Sequence, residues 1–286
     1  DLGTGRTATA ITTGGSHTCA LLDNASVKCW GSNTSGQLGL GDTSSRGDGP
    51  NEMGDNLTAV DLGSGRTATA IAIGGSHTCA LLDNFAIKCW GLNDSGQLGQ
   101  NDLDSRGDSS GEMGDNLDVI DLRSPGRTAA SITTGARHTC VLLDDNNTKC
   151  WGYGEYGQLG RGEDKSEYKP QEEVLDLGTG RTATAIVAGY NHTCVMLDNS
   201  SIKCWGLNDS GQLGQGDTSS LGDESNEMGN NLPAVDLGAG KTARAISAGD
   251  RHTCAILDNA LIKCWGSNTA GQLGLGNTSN RGDNSS

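Results

Sequence analysis

The sequence predicts an all-β fold, a β-propeller built from five repeats with four short strands per blade. Three observations carry that expectation. Five segments of the chain are copies of one template, and their first cysteines, Cys19, Cys79, Cys140, Cys194 and Cys254, recur at intervals of 54 to 61 residues. Each unit reads as short β-branched runs divided by Gly and Asn/Asp turns, with no sustained 3.6-residue apolar period. Composition points the same way. Gly contributes 45 of 286 residues, roughly twice the ordinary share of about 7%, and hydrophobic residues are only 34%. Such a chain folds by sharing small cores between neighbouring units rather than by building one large core.

The first unit shows the element order. Thr9–Thr13 is apolar and β-branched, and Gly14-Gly15 ends it. Thr18–Leu22 follows, Asp23-Asn24-Ala25 supplies a turn, and Val27–Trp30 returns as a hairpin. Gly36, Gly39 and Gly41 then bracket Gln37-Leu38 in a tight loop. After a polar excursion, Thr58–Leu62 reads as a fourth strand. Short strands repeated at this period are the arithmetic of propeller blades. One domain over 1–286 is expected, with repeats near 1–60, 61–121, 122–176, 177–236 and 237–286. The chain reads as a mature form or an ordered segment, either five blades closing imperfectly or part of a longer propeller, with the segment favoured.

The repeated string H-T-C-A-L-L-D-N-x-x-V/I-K-C-W-G-x-N-x-x-G-Q-L-G-x-G resembles the repeat of the regulator of chromosome condensation family, and the likeness covers nearly the whole chain. The resemblance implies a propeller with four-stranded blades. Two departures stand out: that family usually has seven blades, and the cysteine pair is outside its usual motif. The namesake's activity, guanine-nucleotide exchange on a small GTPase with docking on chromatin, is thereby one reading of function.

The cysteines favour another. Cys19 and Cys29 are symmetric about Asn24, so a hairpin turning there sets them face to face within disulfide range. The same ten-residue spacing recurs at Cys79/Cys89, Cys140/Cys150, Cys194/Cys204 and Cys254/Cys264. Five hairpin disulfides are expected, and disulfides belong to oxidising compartments, so the expected location is extracellular or cell-surface. A metal reading, His17 with Cys19 and Cys29, offers three ligands where structural zinc takes four, and no metal or cofactor is expected. The histidine is expected to bond backbone within its own blade, and the tryptophans to pack between blades. Asn-x-Ser/Thr acceptors at Asn24, Asn33, Asn56, Asn93, Asn146, Asn191, Asn199, Asn208, Asn277 and Asn284 fit a secreted glycoprotein, with a minority occupied.

Surface features give candidate contacts. Arg-Gly-Asp occurs at Arg46-Gly47-Asp48, Arg106-Gly107-Asp108 and Arg281-Gly282-Asp283, and the fourth repeat has Leu221 in place of Arg. The triplet either meets an integrin-like receptor or closes a turn while its Arg pairs with an acid of the same loop. Asp42, Asp48, Glu52 and Asp55, and then Asp102, Asp104, Asp108, Glu112 and Asp115, form acidic loops that are solvated or, as a weaker reading, bind calcium without a recognisable ligand spacing. The loop Arg161–Glu173, with Tyr168, departs from the template, either as a place for a partner or as drift.

Charge excludes some classes. With 35 acidic and 20 basic residues, net −15, the chain lacks the basic patch that phosphate backbones need, and nucleic acid is not an expected partner. No apolar run is long enough to span a membrane. An enzyme is not expected either. Every His, Cys and Trp falls inside the repeated template, and Gly-Gln-Leu-Gly-x-Gly follows a strand without opening a helix, unlike a nucleotide fingerprint. The expected function is a secreted or cell-surface scaffold making protein or glycan contacts in assembly or adhesion. A secreted inhibitor and a lectin with one site per blade are further readings.

Overall fold

The computed structural model describes residues 1–284. Its fifteen strands form five antiparallel sheets of three. The first blade holds β1 (Ala8–Thr13), β2 (His17–Leu22) and β3 (Val27–Gly31). The second holds β4 (Ala68–Ile73), β5 (His77–Leu82) and β6 (Ile87–Gly91), and the third β7 (Ala129–Thr134), β8 (His138–Leu143) and β9 (Thr148–Gly152). The fourth holds β10 (Ala183–Ala188), β11 (His192–Leu197) and β12 (Ile202–Gly206), and the fifth β13 (Ala243–Ala248), β14 (His252–Leu257) and β15 (Ile262–Gly266). No helix among the described residues is long and apolar enough to cross a membrane.

The hairpin turn follows directly from its residues. The Ala25 amide donates to the Leu22 carbonyl at 2.9 Å, Asn24 Oδ1 accepts the Ser26 amide at 3.2 Å, and Ala25 takes φ 60° to complete the turn. The corresponding residues Phe85, Asn146, Ser200 and Ala260 take the same left-handed conformation.

A fourth strand does not form, contrary to the sequence expectation. Thr58–Leu62 is irregular and makes one ladder bond, from the Val60 amide to the Val27 carbonyl at 2.8 Å. The other end of β3 pairs instead with the polar excursion, through a Gly31–Arg46 bridge. Two separate segments thus share the outer edge of each of the first four blades, and neither keeps register long enough to be a strand. The same arrangement recurs at Ile120 and Ile87, Leu175 and Thr148, and Val235 and Ile202.

The cores lie between blades rather than within them. Four buried clusters each straddle one junction; the first joins Leu21, Val27 and Leu38 to Ala80, Leu82 and Trp90. The inner strands β1, β4, β7, β10 and β13 lie side by side in chain order. At the two ends the corresponding surfaces are uncovered: Ile11 is 65% exposed, and Ile262 is 69% exposed where Ile87 is 1%.

Candidate interaction surface

All ten cysteines pair as the spacing predicts, Cys19–Cys29, Cys79–Cys89, Cys140–Cys150, Cys194–Cys204 and Cys254–Cys264, with facing Cα atoms 4.1 Å apart. Each joins the two outer strands of a blade at directly opposed positions. Their sulfurs belong to these bonds and leave no thiolate for a metal.

The histidines do not bond backbone within their own blade. His17 Nε2 lies 2.8 Å from Thr78 Oγ1 of the next blade, and the Thr78 hydroxyl donates to the Gln37 carbonyl at 2.8 Å. A hydroxyl has one proton to give, so the histidine must donate through Nε2, which leaves Nδ1 bare. The same Gln37 carbonyl accepts Trp90 Nε1–H at 3.1 Å. A histidine and a glutamine of one blade thus hold a threonine and a tryptophan of the next. The unit repeats at His77–Thr139, His138–Thr193 and His192–Thr253, with the Gln97, Gln158 and Gln212 carbonyls taking Trp151, Trp205 and Trp265. The tryptophans therefore sit between blades as expected. Burial lowers the histidine pKa to about 4 at His17 and His192 and about 3 at His77 and His138, because a cation there would lose its water.

Sequence reasoning missed the lysine of V/I-K-C-W. Lys88 Nζ is buried and donates to the Leu62 and Gly114 carbonyls at 3.1 and 2.7 Å; Lys28 and Lys203 do the same at their blades. Its recurrence in every repeat was the available signal.

Antiparallel order places the β1–β2 turns and the loops after β3 at one end of every blade, the loop face, and the β2–β3 turns at the other. The Arg-Gly-Asp triplets lie on the loop face and make internal bonds. Arg46 Nη2 meets Asp42 at 2.6 Å and Arg106 Nη2 meets Asp102 at 2.7 Å, while Arg281 donates to the Asn280 carbonyl at 2.8 Å. Gly47, Asp48 and Gly49 amides all donate to Glu52 Oε2. Gly107 and Asp108 press on the preceding blade so closely that a Cβ on Gly36 would lie 2.3 Å from the Asp108 amide nitrogen. Gly282 and Asp283 hold the same place against Gly211.

The acidic loops spend their carboxylates separately. Asp42 binds Arg46, Glu52 binds amides, and Asp55 accepts from the Thr4 hydroxyl at 2.6 Å and amide at 2.7 Å. No group of three His, Cys, Asp or Glu side chains among the described residues is gathered as for a metal ion.

Three sequon asparagines cannot carry a glycan in the folded chain. Asn33, Asn93 and Asn208 are 0% exposed, and their Nδ2 atoms donate to the Asp42, Asp102 and Asp217 carbonyls. The sequence could not show this, because the partner lies in the irregular excursion. Asn24, Asn56, Asn146, Asn199, Asn277 and Asn284 are exposed and Asn191 is half-buried; Ser286, which completes the Asn284 sequon, lies outside the described residues.

The third blade breaks the pattern. Where its neighbours read L-N-D-S-G-Q, it reads Tyr153-Gly154-Glu155-Tyr156-Gly157-Gln158. Gly154 replaces the buried asparagine because a Cβ there would strike the Lys165 carbonyl at 1.8 Å. The Arg161–Glu173 loop thus closes down over this position. Tyr168 stands 44% exposed, and Tyr153 and Tyr156 meet edge to face at 5.9 Å. All four tyrosines lie on the loop face, Tyr190 in the turn between β10 and β11.

Sheets stacked through a repeated His–Thr–Gln–Trp linkage, each stapled by its own disulfide, define a β-propeller that presents variable loops on a constant frame. The profile of the RCC1-like domain matches residues 1–285, and the chain belongs to that family. It is similar to the ultraviolet-B receptor UVR8 of Arabidopsis thaliana, 28% identical over 312 residues, covering 93% of this chain and 67% of UVR8. Among solved structures it resembles human WBSCR16, with TM-score 0.75 and 18% identity over 96% of this chain and 66% of that one. It also resembles Prp20p of Saccharomyces cerevisiae, described with its binding to Gsp1p and histones. There the TM-score is 0.70 at 21% identity, over 97% of this chain and 62% of that one. These two likenesses concern the fold.

Proposed function

We propose that this propeller is a non-enzymatic scaffold of an oxidising compartment, secreted or displayed at a cell surface, whose loop face makes protein or glycan contacts in an assembly or in adhesion. One observation carries the reading: every cysteine is committed to a hairpin disulfide at the same place in each blade, a pattern that reducing compartments do not sustain. Departures from the repeat add support. The frame residues recur from blade to blade, whereas the tyrosines and the divergent Arg161–Glu173 loop lie at one face, as interaction surfaces on repeat scaffolds do.

Intact mass of the natively produced protein, with and without reduction before alkylation, tests this. Loss of ten hydrogens for the 10 cysteines, with glycan mass on exposed sequons, is the expected result. Ten thiols alkylated without reduction would overturn the compartment and return the chain to the nucleotide-exchange role of the family's namesake. Turnover in a broad hydrolase screen would overturn the non-enzymatic part.

A further inference from the structure

At the junction of the third and fourth blades, two departures from the repeat meet. The first is the tyrosine pair. Tyr153 is half-buried and Tyr156 is 38% exposed, and the Tyr153 hydroxyl donates to Glu155 Oε2 at 2.6 Å. Gln158 folds beneath them: its Oε1 accepts the Tyr156 amide at 3.0 Å, the residue is 0% exposed, and its Nε2 has no partner. In the second and fourth blades the same nitrogen donates to Asp94 and Asp209.

The second departure is the loop that lies against this turn. A Cβ on Gly157 would stand 2.3 Å from the Asp223 amide nitrogen, which sets the fourth-repeat excursion against the residue that follows Tyr156. Repeats one, two and five carry an arginine in this excursion, and in the first two it neutralises an aspartate of the same loop. Here that arginine is Leu221, and between Gly216 and Gly229 the chain has Asp217, Asp223, Glu224 and Glu227 with no Lys or Arg. Asp223 Oδ1 is buried without a hydrogen-bond partner. Burial, and then Glu227 and Glu224, hold the Asp223 carboxyl above its usual range. Nearby cations are already committed, Arg161 to Glu173 and Lys165 to Glu163.

We infer that this junction is a docking site for a cationic segment of a protein partner, an arginine- or lysine-bearing peptide whose charged groups lie over Tyr153 and Tyr156 and against the fourth-repeat carboxylates, which hydrogen bonds orient but no Lys or Arg of that loop neutralises. Aromatic faces attract guanidinium and ammonium groups, and carboxylates orient them. The inference rests on the reading of the loop face as a contact surface and names the chemistry of what it contacts.

The test is fluorescence anisotropy of a labelled octa-arginine peptide with the oxidised protein at physiological salt. Leu221→Arg restores the template's own neutralising residue and is expected to weaken binding at least fivefold. Leu261→Arg adds the same charge at the 62%-exposed hairpin turn of the fifth blade and is expected to change binding less than twofold. Tyr153→Ala/Tyr156→Ala is expected to weaken it at least fivefold, with retained disulfides and melting behaviour showing that the variant folds. Equal effects of the two arginine substitutions, unchanged binding by the tyrosine variant, or no binding by the parent chain would each overturn the site. These results leave the scaffold reading standing, since that falls only to the thiol and mass measurement.

Discussion

His77 Nε2 lies 3.0 Å from Thr139 Oγ1 across the junction of the second and third blades, and both side chains are fully buried. The threonine hydroxyl donates to the Gln97 carbonyl at 2.8 Å, so two blades are joined by a directional hydrogen-bond relay within an apolar interface. Thr139→Val keeps the shape and removes the hydroxyl, stranding the histidine N–H. A loss of about 1–3 kcal/mol is expected, read as a lower urea midpoint; Thr139→Ser should recover most of it. An unchanged midpoint for the valine variant would deny the relay any part in stability.

The histidines also set a pH dependence. Their folded pKa values, about 3 to 4, lie below the unfolded value of about 6.5, so the unfolded chain binds more protons between these limits. Stability from this source is complete above about pH 6.5 and falls as pH drops toward 4, by about 1.4 kcal/mol per pH unit for each fully buried histidine. Denaturation midpoints across pH 7 to 4 should decline, and a His77→Gln variant should decline less steeply.

Each disulfide closes a loop of sequence separation 10. Removing one, as in Cys79→Ala/Cys89→Ala, is expected to cost about 2–3 kcal/mol on the loop-entropy argument. Complete reduction should lower the melting temperature far more than any single pair does. A reduced chain melting with the oxidised one would show the staples to be thermodynamically idle.

At the hairpin turns, Ala260 and Phe85 hold φ 65° without being glycine. A left-handed conformation costs an L-residue about 1 kcal/mol or more. Ala260→Gly should therefore raise stability by up to about 1 kcal/mol, less what glycine adds to unfolded-chain entropy. The melting temperature reports the balance, and a fall would mean that entropy dominates.

Peptide mapping of a natively glycosylated preparation should find glycan among Asn24, Asn56, Asn146 and Asn199 and never at Asn33, Asn93 or Asn208, whose amides are consumed inside the fold. Occupancy at Asn93 would contradict the buried asparagine.

What could be read in the chain was whatever is local and repeated. The Cys19–Cys29 pair was legible because both partners sit on one hairpin whose turn is marked by Asp23-Asn24, so symmetry about the turn settles their register. Thr58–Leu62 reads as a strand but does not form one, because its β-branched residues announce extended backbone and not how many ladder bonds the outer edge of β3 will accept. The partner of His17 is not legible in its own repeat because it is Thr78, separated from it by a whole repeat.

The sequence alone determined the five repeats, their hairpins and their disulfides, since propensity, turn chemistry and residue spacing act within a few residues. Tertiary structure decided which histidine meets which threonine, which sequons disappear from the surface, and that the tyrosines of the third blade stand beside the arginine-less loop of the fourth. Those outcomes depend on how neighbouring blades stack, and stacking is governed by the shared burial of Trp90, Leu38 and their counterparts, a property of pairs of units that no single unit encodes.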